Sequence, residues 1–219
     1  ILSDPYDTIE FDEALDLVID GRVEAMGADG RLMPAPSGEV YQVNLAEKIL
    51  VTLLSKIANF IPDTGIWMNT QRPEWNDANN ALVGTGVSVV TLCYLHRFLN
   101  KAVPLFSELE QDSVQLSAEV AAFMSDVASV LEAHQGSIGK GPVSDAVRKE
   151  VMEALGTAAE RYRQGIYDRG FSASKKSVSL ASVVDCLSRA RDISAVSIRS
   201  NRRQDGLYHT YNRIAVRDD

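Results

Sequence analysis

The sequence predicts an all-α fold of roughly six or seven helices, and three observations lead to that prediction. Apolar residues recur with the 3.6-residue period of a helix through most of the long segments of the 219 residues. Glycines and prolines interrupt these segments at 27–38 and 136–142, where they separate one helix from the next. Strand signals are weak throughout. We therefore expect more than half of the residues in helices and no sheet beyond a hairpin.

Capping residues and apolar stripes predict the first two helices. Asp7 or Thr8 can cap a first helix that ends before Gly27. Asn44, followed by Glu47, has the spacing of a capping box in which Asn replaces the usual Ser or Thr. The apolar residues that follow at helical spacing are Ile49, Leu50, Leu53, Leu54, Ile57 and Phe60.

A third helix, at 87–99, is apolar on nearly every side, which is typical of a helix buried between others. The most apolar faces of the second and third helices should therefore form the core. The side chains expected to be buried are Leu50, Leu53, Leu54, Ile57, Val90, Cys93, Tyr94 and Phe98. Exposure of these faces would indicate a missing partner domain.

The second half of the chain predicts three more helices. Two amphipathic segments, at about 112–134 and 144–167, form a predicted helical hairpin. A Ser- and Lys-rich link after Gly170 leads to a last periodic stretch at about 178–198. A turn at Asp205 and Gly206 follows it.

Composition and charge argue against several classes of partner and site. The net charge of -8 repels a polyphosphate backbone, so no nucleic-acid partner is predicted. The two cysteines lack C-x-x-C spacing and the three histidines are scattered, so neither a metal nor a cofactor is predicted. No apolar run reaches the roughly 18 to 20 residues that cross a bilayer, so no membrane partner is expected. No signal peptide is visible, which favours a cytoplasmic location without fixing it.

Candidate site residues concentrate in a polar loop between the second and third helices, from Trp67 to Gly86. Binding groups commonly lie on loops held by rigid elements. An indole face can stack on the C–H side of a sugar ring, while carboxylates, amides and Arg can bond its hydroxyls. The loop residues assigned to a sugar site are Trp67, Arg72, Glu74, Trp75, Asn76, Asp77 and Asn79.

Two carboxylates of this loop, Glu74 and Asp77, are of the type that glycosidic cleavage needs. A glycosidic oxygen is a poor leaving group until it is protonated, so the reaction requires a carboxylic acid whose pKa is raised by burial or by a neighbouring carboxylate. A second interpretation is open at this point: Asp77 can cap the following turn while Glu74 is merely exposed.

Two short segments resemble a known family of enzymes. The run Glu74-Trp75-Asn76-Asp77-Ala78-Asn79-Asn80 resembles the Asp-Trp-Asn-Asp stretch of the cellobiose phosphorylase family and its relatives among glycosidases with a six-hairpin helical toroid. A second run, Gly206-Leu207-Tyr208-His209-Thr210-Tyr211-Asn212, resembles a Tyr-His-x-Tyr-Asn element found toward the end of similar toroids. In that family the acidic residue before the Trp is the general acid.

The resemblance implies a role for each matching residue. Glu74 takes the place of the general acid, although the family has Asp there and Glu reaches one methylene further. Asp77 and Asn76 would orient the acid or bond the sugar. The residues implied to shape the glycone pocket are Trp75, Tyr208, His209 and Tyr211, and Asn212 is a further substrate-binding residue.

The fold implied by the resemblance is a set of helical hairpins forming part of an (α/α)6 toroid. Residues 1–105 would form toroid helices and the Glu74 loop, residues 106–172 an inserted helical hairpin, and residues 173–219 a return helix with the second element. Twelve helices of about 11 to 12 residues need roughly 200 residues before any sugar-binding loops are added. We therefore expect the remainder of the toroid in a longer polypeptide or in another chain.

The implied function is cleavage of a glycosidic bond in an oligosaccharide or another glycoside. An inverting hydrolase needs a second carboxylate about 6.5 to 9.5 Å from the first, whereas an inverting phosphorylase uses bound phosphate. No base is identified, so both remain open. The alternative class is a helical interaction or scaffold module, in which Trp75 and Tyr208 anchor the core and the long amphipathic helices bind a partner helix. Convergence of the Glu74 loop and the Tyr208–Asn212 segment on one cleft would favour the enzyme.

Overall fold

The fold is mixed α/β, which corrects the all-α prediction and the toroid that the resemblance implied. The computed structural model describes residues 11–68, 82, 84–139 and 142–215. Within these ranges the helices are α1 (Glu13–Met26), a 3-10 helix (Gly27–Arg31), α2 (Leu45–Ile57), α3 (Val89–Ser107), α4 (Ala118–His134), α5 (Asp145–Arg169) and α6 (Leu180–Ser200). The strands are β1 (Phe60–Ile61), β2 (Gly65–Trp67), β3 (Gly86–Ser88), β4 (Ser113–Ser117), β5 (Lys175–Ser179) and β6 (Tyr211–Arg213).

Side-chain caps set the starts of the first two helices. The predicted caps Asp7 and Thr8 lie outside the described residues, and Asp12 caps α1 by accepting from the Leu15 amide at 2.9 Å. Asn44 caps α2 as predicted, because its Oδ1 accepts from the Glu47 amide at 2.8 Å. The Glu47 side chain does not complete the capping box and is buried elsewhere.

A four-stranded antiparallel sheet contradicts the expectation of no sheet beyond a hairpin. Its strand order is β1-β2-β3-β6, so the C-terminal strand joins strands from the middle of the chain. These strands have two or three residues each, too few to produce an alternating pattern in the sequence. Gly65 has φ 145°, and a Cβ on it would lie 2.6 Å from the Ser88 carbonyl oxygen, so β2 can approach β3 only with glycine there.

A second sheet, β4 paired with β5, brackets the predicted helical hairpin. Its register runs from Ser113 opposite Ser179 to Ser117 opposite Lys175. Helix was predicted from about residue 112, but α4 begins at Ala118, after β4. Helices α4 and α5 then pack against each other as a pair.

The buried core contains only part of the apolar set that was expected. Leu50, Leu53, Leu54 and Ile57 of α2 are buried as predicted. In α3 the prediction was wrong: Val90 is half-buried, Cys93 is exposed, and Tyr94 and Phe98 are 65% and 44% exposed. The reason is that α3 packs one face against α6 and the four-stranded sheet, through residues such as Leu92, Leu95 and Leu99.

Candidate active site

The polar loop that carries the predicted acid leaves and re-enters the four-stranded sheet at a closed neck. The Met68 amide donates to the Gly86 carbonyl at 2.9 Å, and the Gly84 amide donates to the Met68 carbonyl at 2.7 Å. The Trp67 indole Nε1 also donates to the Gly84 carbonyl, at 2.9 Å. Main-chain and side-chain bonds thus hold the two ends of the loop together.

Most of the predicted loop residues lie outside the described residues: these are Arg72, Glu74, Trp75, Asn76, Asp77 and Asn79. Trp67 is described, and its side chain is half-buried at the neck of the loop.

The second predicted element lies beside this neck. Strand β6 pairs with β3, with Asn212 opposite Val87 and Tyr211 opposite Ser88. The pairing continues beyond the strands, since the Val89 amide donates to the Thr210 carbonyl at 3.0 Å and the Ile214 amide to that of Thr85 at 2.8 Å. A single strand, β3, therefore connects the end of the polar loop with the Tyr208–Asn212 segment.

The side chains of this segment differ in how accessible they are. Tyr208 is 46% exposed and His209 is also exposed, whereas Tyr211 is half-buried. The scaffold interpretation required Tyr208 to anchor the core, but Tyr208 does not lie in the core. Tyr208, His209 and Thr210 are the exposed members of this segment.

Asn212 belongs to a structural hydrogen-bond network. Its Nδ2 donates to the Thr64 carbonyl and to Asn201 Oδ1, both at 2.7 Å. Asn201 is 2% exposed and donates in turn to the carbonyl of Asp63 at 3.0 Å. Both amide hydrogens of Asn212 are thus used: one holds β6 on the β1–β2 turn, and the other holds it on Asn201 at the end of α6.

A buried carboxylate at Glu47 was missed as a site feature, because its position suggested only a helix cap. Glu47 is 1% exposed, and its carboxylate accepts from the amide of Ser117 at 2.9 Å and from the Ser117 hydroxyl. Lys175 Nζ lies 3.5 Å from the same carboxylate and 3.0 Å from Ser117 Oγ. The Tyr41 hydroxyl lies 2.8 Å from Ser117 Oγ.

This cluster stabilises the contact of α2 with β4 and β5 and does not form an open nucleophilic site. Burial disfavours the charged form of Lys175, but the hydrogen bond with Tyr41 and the charge of Glu47 outweigh it and raise the pKa of Lys175. A Ser hydroxyl beside a Lys can act as a nucleophile. Ser117, however, has no exposed surface, so no substrate can reach its oxygen.

Sequence reasoning also missed a cleft beside Trp67, which α2, α4 and α5 line together. The cleft has a volume of about 350 Å³. Its aromatic lining residues are Trp67, Phe123 and Tyr162, and its charged ones are Glu160 and Arg163. Burial, together with the charges of Glu47 and Glu119, raises the pKa of Tyr162 to about 12.

Comparisons with known proteins assign no family to this chain: no protein-family model matches it, and no curated protein is significantly similar to it. In the described part of the chain, no three His, Cys, Asp or Glu side chains are grouped so that they could hold a metal ion. Helices long and apolar enough to span a bilayer are also absent from that part.

Proposed function

We propose that this chain forms part of a carbohydrate-active enzyme that cleaves glycosidic bonds, with Glu74 as the general acid. The substrate would be an oligosaccharide or another glycoside. The proposal takes from the resemblance the roles of the two matching segments, and it does not include the toroid fold.

The observation that carries this proposal is the pairing of β3 with β6. Strand β3 follows the polar loop directly, and β6, more than a hundred residues later in the sequence, holds Tyr211 and Asn212. Residues that act on one sugar must lie within a few ångströms of it. Pairing of β3 with β6 brings the end of the polar loop beside the second segment, which supports a shared site.

The chemistry assigned to Glu74 is protonation of the glycosidic oxygen as the bond breaks. A carboxyl group can do this near neutral pH when burial or a neighbouring carboxylate raises its pKa, and Asp77 supplies such a neighbour in the sequence. The nucleophile on the opposite face of the ring would be water in a hydrolase or phosphate in a phosphorylase.

The test of this function is turnover of disaccharides by the full-length protein with and without inorganic phosphate. A panel of glucosides, galactosides and mannosides would be incubated with the protein, and free sugar and sugar 1-phosphate would be measured. We expect one panel member to be cleaved. Product that appears only with phosphate would identify a phosphorylase, and product that forms without it a hydrolase. No cleavage of any member would contradict the proposal.

A second candidate function, a helical interaction module, is favoured by the exposed face of α3. Tyr94, Phe98 and Leu105 are 65%, 44% and 51% exposed, and they lie on one side of the helix. Arg97 and Lys101 flank this apolar stripe. A partner that fits it is an amphipathic helix with an apolar stripe and acidic residues beside it.

Helix α1 of a second copy of the chain has this pattern. It has no buried residue, and Leu15 and Val18 are 51% and 58% exposed. The acidic residues of α1 and its cap are Asp12, Glu13, Asp16, Asp20 and Glu24. The partner proposed for this second function is therefore another copy of the chain, with α1 of one copy lying on α3 of the other.

A further inference from the structure

We propose that the cleft between α2, α4 and α5 is a binding subsite for a neutral pyranose ring, in which Trp67 provides the stacking surface and Glu160, Tyr162 and Arg163 bond the hydroxyls. The inference extends the proposed function by naming a sugar subsite at the neck of the loop. The cleft has a volume of about 350 Å³, which lies at the lower end of the range for small-molecule sites.

The aromatic groups of the cleft are fixed before any ligand binds. The Trp67 indole is tied to the Gly84 carbonyl at 2.9 Å, so its polar edge is occupied. The Tyr162 ring stacks on Phe123 with 4.8 Å between the ring centroids and 8° between the planes. Rings held in this way lose little conformational entropy when a sugar stacks on them.

Two charged side chains of the cleft are uncommitted, unlike their neighbours on the same helix. Arg161 pairs with Asp126 at 2.7 Å, and Lys149 lies 4.0 Å from Glu153. Among the described residues, neither Glu160 nor Arg163 has an ion pair or a side-chain hydrogen bond, although they lie one turn apart on α5. Their hydrogen-bonding capacity is thus available to a ligand.

The three polar groups together are complementary to sugar hydroxyls. The Glu160 carboxylate only accepts hydrogen bonds and the Arg163 guanidinium only donates them. Tyr162 has a pKa of about 12, so its hydroxyl keeps its proton at neutral pH and can donate. Each sugar hydroxyl both donates and accepts, so a pair of vicinal hydroxyls can satisfy such a set.

Charge favours a neutral sugar over an anion in this cleft. An isolated Arg would attract a phosphate or a carboxylate. Here Glu160 stands beside Arg163 and repels an anionic ligand. A second groove, on the other side of α5, contains Asp126, Lys149, Glu153 and Arg161 but no aromatic residue, and it offers no stacking surface.

The experiment is a binding measurement on the full-length protein that does not depend on turnover. The probes are cellobiose and the methyl glycopyranosides of glucose, galactose and mannose, detected by saturation-transfer NMR and titrated by calorimetry. We expect at least one probe to bind with a Kd of millimolar order or tighter. Glu160→Gln and Arg163→Met should each weaken that binding about tenfold or more, and Tyr162→Phe by about fivefold.

Matched controls come from the other side of the same helix. Glu153→Gln and Arg161→Met make the same chemical changes in the groove that has no aromatic residue, and they should leave Kd unchanged. Absence of binding for every probe would overturn the subsite, and so would equal losses in the cleft and control variants. Circular dichroism of each variant establishes that its fold is retained.

The outcome is separable from that of the proposed function. If the cleft variants lose binding while Glu74→Gln turns over substrate at the wild-type rate, the subsite is supported and Glu74 is rejected as the general acid. Cleavage that depends on Glu74 but is unaffected by Glu160→Gln and Arg163→Met would reject the subsite alone.

Discussion

Trp67 and Asn212 lie on one row of the four-stranded sheet, each paired with Val87 from opposite sides. Paired residues of neighbouring strands project from the same face of a sheet. The neck of the polar loop and the C-terminal element are therefore joined by a three-residue ladder whose central side chain, Val87, is fully buried.

The bonds of Asn212 predict that its replacement destabilises the fold. Asn212→Ala should lower the free energy of unfolding by about 1 to 3 kcal/mol, because the buried Asn201 Oδ1 and the Thr64 carbonyl lose a donor. Urea denaturation measures this change. His209→Ala, an exposed neighbour, should stay within about 0.5 kcal/mol of wild type. Equal stability of Asn212→Ala and wild type would contradict the structural role of these hydrogen bonds.

The buried carboxylate of Glu47 predicts a larger loss. Glu47→Ala leaves the buried amide and hydroxyl of Ser117 without their acceptor, and at about 1 to 3 kcal/mol for each unsatisfied group we expect about 2 to 6 kcal/mol of destabilisation. The control is Glu153→Ala. The Glu153 side chain is 61% exposed, so its removal should lower the free energy of unfolding by less than about 1 kcal/mol. Similar chemical denaturation midpoints for the two variants would show that the Glu47 cluster contributes little.

Tyr162 predicts a loss of stability at alkaline pH. Its pKa is about 12 in the folded chain, whereas an unfolded tyrosine ionises near its ordinary value of about 10. Between these values the unfolded chain binds fewer protons than the folded chain, so stability falls as the pH rises. Allowing for solvent screening of a half-buried ring, we expect a loss of about 1 to 2 kcal/mol.

The comparison of two variants isolates this contribution. Tyr162→Phe removes the titrating group, so its stability should fall less steeply than that of wild type between pH 10 and pH 12. Tyr167→Phe, on the same helix and 73% exposed, should retain the wild-type slope. Parallel curves for the two variants would contradict the assignment. Lys175, whose pKa is also raised, loses its charge at alkaline pH in both variants, so it does not affect the difference between their slopes.

The exposed stripe of α3 predicts self-association if the chain acts as an interaction module. Wild type should then form dimers whose stability decreases with added salt, since Arg97 and Lys101 would face the acidic residues of α1. Phe98→Asp should abolish them, as measured by analytical ultracentrifugation. Leu45→Asp, which alters a residue 71% exposed at the start of α2, is the matched control. A monomeric wild type at all concentrations would reject this partner.

Local signals predicted the helices, and nonlocal pairing explains what was missed. Asn44 and the apolar residues of α2 lie within one segment, so capping and periodicity were enough to place that helix. Strands β1 and β6 have two and three residues. Strand β6 pairs with β3, which lies far earlier in the sequence: Asn212 is opposite Val87, 125 residues before it. No local pattern encodes such a pairing.

The candidate site was predictable only in part for a similar reason. The sequence pointed to the Trp67 loop and to the Tyr208–Asn212 segment, but not to the pairing of the strand that ends the loop, β3, with the strand of the segment, β6. The one-turn spacing of Glu160 and Arg163 indicates a shared helix face and nothing about the Trp67 ring opposite. The face of α3 was misjudged because an apolar helix surface does not reveal whether another element covers it.

The most direct test of the central claim is the leaving-group dependence of Glu74→Gln in the full-length enzyme. The fluoride ion of a glycosyl fluoride leaves without being protonated, whereas the leaving sugar of a disaccharide needs a proton from a general acid. The account predicts that Glu74→Gln cleaves the disaccharide about 10² to 10⁴ times more slowly than wild type, while turnover of the matching glycosyl fluoride is largely retained. Glu153→Gln should behave as wild type on both substrates. Wild-type rates of Glu74→Gln on both substrates would contradict the account and remove Glu74 from the mechanism.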